Sequence, residues 1–288
     1  MGARFAGSAS VLQSEPTHER YNVMTTTTKT RSTIAATLLA VSALGSATSF
    51  AAEKPTVILV HGAFAESASL NGVASRLIDQ GYPVVAAANP LRGVANDAEY
   101  VSDIIEHTAG PIVLVGHSYG GSVITNAVKG SSKVKALVYV AAFAPAVGES
   151  AAALAGQFPG STLGPTLAEP VQLGDGNQDL YIQQDKFAEQ FAADVAPAEA
   201  ALMAATQRPV TAAALNENSQ QSAWNYVPSW FVYGTADKNI PEAALKFMAD
   251  RAGSRNTLTI AGASHVVMTS HPDEVAALIT EAAEATAK

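Results

Sequence analysis

The sequence contains no cysteine, which excludes disulfide bonds and thiolate metal ligands. Its six histidines form no HExxH pattern and no other close cluster, so the composition argues against a metal site. Charged residues make up only 15% of the chain and hydrophobic residues 48%, a balance that excludes a disordered protein. The 288 residues can therefore build a sizeable core, in one large domain or two small ones.

The first fifty residues have the composition of a targeting segment. The segment has a basic start at Lys29 and Arg31 and an apolar middle over 34–44. It ends in small residues, among them Ser49 and Ala51. This pattern predicts a secretory signal peptide that is cleaved after Ala51. An N-terminal helix or membrane anchor is the alternative, although the apolar run is too short for a comfortable membrane span.

Residues 1–51 are accordingly interpreted as leader and signal peptide, with Met24 as the expected natural start. The mature protein is expected in the periplasm or the medium, without a membrane anchor. Processing would remove four basic and two acidic residues, so the formal net charge would move from −8 to −10. An acidic protein without a basic tract is a poor partner for nucleic acid or anionic membranes, and a small uncharged or weakly polar ligand fits better.

From Thr56 onwards, short apolar runs alternate with segments of helical spacing. The apolar runs are 56–60, 82–87, 111–115, 134–142, 229–234 and 256–261. The helical segments are 67–80, 96–108, 119–129, 241–252 and 272–285. Apolar runs of this kind are typical of strands buried on both faces, and strand–helix alternation implies parallel pairing. The pattern predicts an α/β fold with a doubly wound, mostly parallel sheet.

The alternation fails once, between Pro145 and Val227, where no convincing strand can be recognised. The stretch "DKFAEQFAADVAPAEAALMAATQ" instead indicates helices that are broken at Pro197. An insertion this long is expected to have structure of its own. We therefore predict a helical cap over 146–227, inserted into a core formed by 52–145 and 228–288, and lying over the carboxyl edge of the sheet.

The segment "VGHSYGGSV" places Ser118 between glycines, directly after the apolar run "PIVLV". Gly116-His117-Ser118-Tyr119-Gly120 matches the pattern G-x-S-x-G, which is typical of a tight strand-to-helix turn that exposes a nucleophilic serine. A glycine-flanked serine alone is weak evidence. The preceding strand pattern and the following helix-like "SVITNAVKG" supply the context that the motif requires, so Ser118 is the predicted nucleophile.

A serine nucleophile needs a base, and the chain order in this arrangement is serine, acid, histidine. His265, in "GASHVVM" directly after a predicted strand, satisfies this order at the carboxyl edge of the sheet. A solvent-facing loop histidine is the alternative interpretation. The other histidines fit less well because of their positions in the leader, the first loop, a helix, the serine turn and a helix entry: His18, His61, His107, His117 and His271.

Asp237, in "FVYGTADKNIP", is the predicted acid because it follows the strand that precedes the strand of His265. The alternative is a cap for the helix that opens at Pro241, a task that Asn239 could perform equally well. Glu149, after the run 134–142, is a competing acid. Four further aspartates lie in the predicted cap and fit poorly: Asp175, Asp179, Asp185 and Asp194.

Two backbone N–H groups are needed to stabilise a tetrahedral oxyanion. One is expected from Tyr119, the residue after the nucleophile. The other is expected from the loop "VHGAF", where Gly62 lets the backbone turn inward. Ala63 is the predicted second donor, and the N–H of Phe64 is the reserve.

Together, "ILVHGAF", "VGHSYGG", "GTADKNIP" and "GASHVVM" resemble the α/β-hydrolase superfamily. More narrowly, they are similar to the branch of plant methylesterases, hydroxynitrile lyases and bacterial carboxylesterases, including pyrethroid-type hydrolases. The resemblance covers about residues 55–285 and implies the triad Ser118, Asp237 and His265.

Three positions depart from patterns within this branch. The plant lyases typically carry a threonine where this chain has Gly62, and a lysine where it has Val266, so the resemblance favours an esterase over a lyase. Relatives often carry tryptophan where Leu70 stands, which leaves the packing behind the oxyanion loop open.

A substrate pocket is expected to use large apolar side chains near the serine and in the cap. The predicted pocket residues are Phe64, Phe158, Tyr181, Phe187 and Trp224, with Phe191, Met203 and Tyr226 as further candidates. Packing within the cap is the alternative role for each cap residue.

The sequence thus predicts an exported, cofactor-free serine hydrolase that acts on small apolar carboxylic esters through an acyl-enzyme. A lactonase, an amidase, a C–C hydrolase or a cofactor-free oxygenase could use the same residues. A hydrolase-like protein that only binds a small ligand is the remaining alternative, and the intact triad pattern argues against it.

Overall fold

A computed structural model of the chain describes Met24 and residues 53–287. The predicted signal peptide, with its cleavage after Ala51, lies outside these described residues. Within them, no helix is both long and apolar enough to cross a membrane.

Nine strands occur in the described residues. They are β1 (Thr56–Val60), β2 (Val84–Ala87), β3 (Ile112–His117), β4 (Val134–Val140), β5 (Val171–Gln172), β6 (Gln178–Leu180), β7 (Val210–Thr211), β8 (Ser229–Gly234) and β9 (Thr257–Ile260). Six of them form one sheet in the order β2-β1-β3-β4-β8-β9, in which every neighbouring pair is parallel. The other three form a small antiparallel sheet in the order β5-β6-β7.

The same part of the chain contains ten α-helices. They are α1 (Asn71–Asp79), α2 (Val94–His107), α3 (Tyr119–Ala127), α4 (Ala151–Gly156), α5 (Gln184–Phe191), α6 (Pro197–Thr206), α7 (Ala212–Asn216), α8 (Glu242–Arg251), α9 (Val267–Ser270) and α10 (Pro272–Ala285). Short 3-10 helices add Ser67–Leu70, Gly164–Thr166 and Ala223–Asn225. Because parallel crossovers are right-handed, the reversal of direction after β2 puts α1 on one face of the sheet and α2, α3 and α8 on the other. The predicted doubly wound α/β architecture is confirmed.

Burial follows strand order. Among the four interior strands, β3 and β8 are buried throughout, and β1 and β4 almost throughout. The edge strands β2 and β9 carry exposed residues. In β9 these are Thr257 and Thr259, whereas β2 is entirely apolar and still exposes Val85 and Ala86. The apolar sequence of β2 therefore overstated its burial, because an edge strand has a neighbouring strand on one side only.

The chain leaves the main sheet after β4 and returns at β8. The intervening segment contains α4 to α7, and α6 begins at Pro197 as the sequence predicted. It also contains the antiparallel sheet β5-β6-β7. The expectation of a purely helical insertion without strands was therefore wrong. The boundaries at 145/146 and 227/228 stay a prediction.

The topology determines where the site lies. Strands β1 and β3 are neighbours, but the chain turns in opposite directions from them. In open parallel sheets, ligands bind outside the carboxyl ends of the strands at such a switch point. The loop after β1 holds Ala63, and the turn after β3 holds Ser118.

Candidate active site

Ser118 occupies the turn between β3 and α3, and its backbone conformation is unusual. Its φ is +54° and its ψ is −124°, a combination that is unfavourable for a residue with a side chain. Three backbone hydrogen bonds hold it there. Its N–H donates to the Val140 carbonyl at 3.2 Å, and its carbonyl accepts from Gly121 at 2.9 Å and from Phe143 at 3.2 Å. The strained turn is therefore fixed by the end of β4 and by the helix that follows.

The glycines on either side of Ser118 are required by close backbone packing. A Cβ atom at Gly116 would lie 2.6 Å from the Gly120 carbonyl oxygen, and one at Gly120 would lie 2.5 Å from the Val60 carbonyl oxygen. Gly62 is equally confined, since a Cβ atom there would lie 2.5 Å from the Ser118 Cβ. This backbone has no room for the threonine that plant lyases carry at the position of Gly62.

His265 lies between Ser118 and Asp237. Its Nε2 is 2.8 Å from Ser118 Oγ, and its Nδ1 is 2.7 Å from Asp237 Oδ2. The imidazole and the carboxylate are almost completely buried. The structure thus brings together the three residues that the sequence predicted as a triad, in the geometry in which a histidine can remove the serine proton.

Asp237 is held by its own loop. Its Oδ1 accepts hydrogen bonds from the N–H groups of Asn239 at 2.8 Å and Ile240 at 3.0 Å. Asn239 does not cap helix α8 as suggested from the sequence, because its side chain contacts Gln190 instead. One carboxylate oxygen of Asp237 therefore accepts hydrogen bonds from its own loop, and the other contacts His265.

Glu149, the competing acid, is engaged elsewhere. Its carboxylate forms a two-pronged ion pair with Arg251, with N–O distances of 2.7 and 2.8 Å. Burial acts to raise the pKa of Glu149, but the hydrogen bonds from Arg251 and from the N–H of Ala146, together with the charge of Arg251, outweigh it and hold this pKa below its usual range. This ion pair explains why Glu149 is not the partner of His265.

Two further histidines are buried beside the site. Burial lowers the pKa of His61 to about 4 and that of His117 well below its usual value, so both are neutral at neutral pH. Although His117 adjoins Ser118 in the serine turn, its side chain lies against the His265 loop. Its Nε2–H donates to the His265 carbonyl at 3.2 Å, and the two rings lie 4.9 Å apart. His117 therefore supports the backbone of the His265 loop.

Two backbone N–H groups are free to face the reaction centre. Within the described residues, neither the N–H of Tyr119 nor that of Ala63 has a hydrogen-bond acceptor. The reserve donor Phe64 is unsuitable, because its N–H already donates to the Arg208 carbonyl at 3.0 Å. Ala63 follows Gly62, and at Gly62 the loop packs directly against the serine turn.

A cavity of about 330 Å³ opens beside Ser118 and His265. Phe64 lines it, as predicted, and so does Phe191. Other apolar lining residues are Phe143, Ala151, Ala152, Ala155, Leu163, Leu167, Leu215 and Ile240. The described lining includes no Asp, Glu, Lys or Arg, so the cavity suits an uncharged, apolar ligand.

Four predicted pocket residues do not line this cavity. Phe187 lies behind Phe191, with ring centroids 4.9 Å apart. Phe158 packs against Phe247, Tyr181 borders a separate surface cleft, and Trp224 donates to the Pro145 carbonyl. These four corrections have one cause: the four aromatic side chains pack against other parts of the insertion or of the core, and the insertion contributes Phe191 and smaller aliphatic residues to the wall of the cavity instead.

Tyr119 connects the site to a buried carboxylate. Its hydroxyl donates to Asp97 Oδ2 at 2.9 Å, and both residues are fully buried. Asp97 also accepts from the N–H of Arg92 at 3.1 Å. Burial raises the pKa of Asp97, and these hydrogen bonds act against that shift. Sequence reasoning missed Asp97, because a lone aspartate in an amphipathic helix carries no signal of its own.

The arrangement can perform acyl transfer. It contains a nucleophile, a base, an acid that orients the base, two free N–H donors and an apolar cavity beside them. Within residues 53–287, no group of three His, Asp or Glu side chains could hold a metal ion.

Comparison with known proteins gives matches over most of the chain. A model described as "Alpha/beta hydrolase family" matches residues 57–278. An alpha/beta hydrolase of Aspergillus novofumigatus, nvfD, is 29% identical over 251 residues, which cover 80% of this chain and 97% of that protein. A pyrethroid hydrolase of Sphingobium wenxiniae is 27% identical over 252 residues, which cover 81% of this chain and 89% of that protein.

Among solved structures, polyneuridine aldehyde esterase superposes with a TM-score of 0.67 at 17% identity, covering 79% of this chain and 98% of that chain. Likeness at this level of identity shows the fold alone.

Proposed function

The chain belongs to the alpha/beta hydrolase family, and we propose that it is a serine hydrolase that cleaves small apolar carboxylic esters. The observation that carries the proposal is the buried array in which His265 lies 2.8 Å from Ser118 Oγ and 2.7 Å from Asp237 Oδ2. The name of one similar protein, a pyrethroid hydrolase, supports hydrolysis as the reaction class.

In the proposed reaction, Ser118 Oγ attacks the ester carbonyl carbon while His265 Nε2 accepts the serine proton. The carbonyl oxygen becomes an oxyanion that receives hydrogen bonds from the N–H groups of Ala63 and Tyr119. His265 then gives its proton to the departing alcohol, which leaves an acyl-serine. Water then enters and loses a proton to His265 Nε2 while its oxygen bonds to the acyl carbon. His265 returns this proton to Ser118 Oγ as the bond between Oγ and the acyl carbon breaks, which releases the carboxylic acid and restores the free serine.

Asp237 fixes His265 in the reactive tautomer. Its Oδ2 accepts the Nδ1 proton, which leaves the lone pair of Nε2 facing Ser118. The two loop N–H groups on Oδ1 prevent rotation of the carboxylate. Asp237 thereby also stabilises the imidazolium that forms during attack.

The cavity argues for small, uncharged substrates. Its volume of about 330 Å³ is near the lower end of the usual range for ligand sites, which is roughly 300–1,000 Å³. Its wall offers no cation to an acidic substrate. A compact apolar ester fits this lining better than a charged one.

The decisive experiment is labelling with a fluorophosphonate, followed by intact mass and peptide mapping. We expect one adduct, on Ser118, that is lost in Ser118→Ala and strongly slowed in His265→Ala. Ser122→Ala is the matched control, because Ser122 is a buried serine one helical turn further along α3 and should leave labelling unchanged. Ester turnover should fall by roughly three orders of magnitude or more in Ser118→Ala.

Absence of an adduct, under conditions that label a control hydrolase, would refute the proposal and favour a ligand-binding protein. If the adduct forms, product analysis on esters, lactones, amides and β-diketones separates ester hydrolysis from the alternative reactions of the same triad.

We also propose that the protein is exported and processed after Ala51. The proposal is supported by the composition of residues 1–51 alone. Sequencing of the N-terminus of exported material should find Ala52 first, and a mature chain that begins well before Ala52 would contradict it.

A further inference from the structure

Phe64 lies between two cavities. On one side is the catalytic cavity of about 330 Å³ beside Ser118. On the other side is a second cavity of about 280 Å³, whose wall includes Phe64, Ser69, Leu202, Met203 and Thr269. Phe64 is a member of both linings. We therefore expect that removal of its ring would open the catalytic cavity towards the second one and enlarge the room beside the nucleophile.

The ring of Phe64 is held in place and does not form a loose flap. Its backbone has a φ of +59°, and its N–H donates to the Arg208 carbonyl at 3.0 Å. Its ring meets Phe191 edge-on, with centroids 6.2 Å apart, and the residue is 3% exposed. A fixed aromatic ring at this position limits the length of the substrate, because the ring does not move aside to admit a longer one.

We propose that Phe64 is a specificity-determining residue that confines one end of the substrate to the catalytic cavity. This inference rests on the proposed esterase function. Straight-chain substrates should be hydrolysed well until one arm reaches the Phe64 ring, and poorly when they are longer. The wall of the second cavity combines apolar residues, Leu202 and Met203 among them, with polar residues that include Glu66 and Glu199. Its apolar part would accept the additional methylene groups if the ring were absent.

The test is the ratio of kcat/KM for long and short substrates in Phe64→Ala. Two series are measured, one of p-nitrophenyl esters of straight-chain acids and one of acetates of straight-chain alcohols. We expect the ratio to rise by at least about tenfold in one series or both, since even single methylene groups change specificity by that order in apolar sites. Phe64→Leu should give a smaller rise in the same direction.

Two controls make the test specific. Leu215→Ala enlarges the catalytic cavity on a side that does not border the second cavity, so it should change the ratio much less. Met203→Phe refills the second cavity. In the double variant with Phe64→Ala it should therefore restore the ratio of the parent protein, and on its own it should leave that ratio unchanged. An equal rise in Leu215→Ala, or a rise that survives Met203→Phe, would overturn the proposal.

Failure of the esterase proposal can be recognised separately. It would show as loss of both fluorophosphonate labelling and short-ester turnover in the parent protein. In that case, binding of straight-chain methyl ketones to Ser118→Ala, with and without Phe64→Ala, measures the same length limit by calorimetry. Identical length dependence in the two proteins would then refute the proposed role of Phe64.

Discussion

Tyr119 contributes to the candidate site through two different groups. Its backbone N–H is one of the two free donors, and its hydroxyl donates to the buried carboxylate of Asp97 at 2.9 Å. Because the ring is anchored at its far end, the start of α3 cannot tilt without breaking this hydrogen bond. We therefore infer that Asp97 is a positioning residue for the oxyanion donor.

Tyr119→Phe should lower kcat by roughly tenfold with little change in KM, because one oxyanion donor is displaced rather than lost. It should also cost about 1–3 kcal/mol of unfolding free energy, since a buried carboxylate loses a donor. Tyr139→Phe is the matched control, because Tyr139 is buried and its hydroxyl contacts Thr125 at 2.8 Å. Steady-state kinetics and denaturant unfolding check both variants, and an equal fall of kcat in the two would contradict the positioning role.

At the residue scale, the sequence predicted which residues lie together where a local rule applies. Glycine spacing identifies Ser118, and chain order with a preceding strand identifies Asp237 and His265. The wall of the cavity obeys no such rule, because it depends on how the insertion packs on the core. Ile240 could have been predicted as a wall residue, because it lies three residues after Asp237 in the same loop.

Helix α3 is the element on which the site depends most. Gly121 approaches the loop after β4 so closely that a Cβ atom would lie 2.2 Å from the Phe143 carbonyl oxygen. Both Gly121 and Phe143 also donate to the Ser118 carbonyl. The contact between α3 and this loop therefore determines the conformation of the serine turn.

Gly121→Ala should destabilise the fold by at least about 1–3 kcal/mol and slow the labelling of Ser118, since the helix must move away from the sheet. Gly156→Ala is the control, because a Cβ atom at Gly156 in helix α4 would meet nothing within 4 Å. It should be neutral or stabilising by about 0.5–1 kcal/mol, as expected for alanine in a helix. Denaturant unfolding measures both, and equal stability of the two variants would contradict the packing argument.

The helices and strands of the core were predictable because their patterns of apolar residues are long enough to be recognised. The small sheet of the insertion was not, since β5 and β7 have two residues each and β6 has three. Alternation cannot be recognised over two residues. These strands form because β6 lies between two partners, which is information about tertiary structure.

Acid stability is a property of the whole molecule that follows from its buried histidines. Burial lowers the pKa of His61 to about 4 from 6.5, and His117 is shifted in the same direction. Between pH 6.5 and pH 4 these histidines bind more protons in the unfolded chain than in the folded one. The unfolding free energy therefore falls as pH falls through this range. His61 alone accounts for about 3 kcal/mol at most over that range.

The fall in unfolding free energy from pH 6.5 towards pH 4 should therefore be smaller in His61→Gln than in the parent protein. His107→Gln, which changes an exposed histidine, is the control and should retain the full fall. Asp97, whose raised pKa acts in the opposite direction, is common to all three proteins. Urea unfolding at several pH values measures the slopes. NMR titration of the parent protein adds an independent check, and a His61 ring that became charged near pH 6.5 would refute the prediction.

The order of the functional residues along the chain has an evolutionary consequence. Ser118 precedes the insertion and Asp237 and His265 follow it, while pairing of β4 with β8 brings the two halves together. Most of the cavity wall comes from the insertion, including Leu163 and Leu215. Apart from Phe64, which lies beside Ala63, the proposed reaction chemistry and much of the cavity wall are thus encoded by separate stretches of the gene. Recombination or length variation between β4 and β8 can therefore generate new specificities while the bond-breaking apparatus is inherited unchanged.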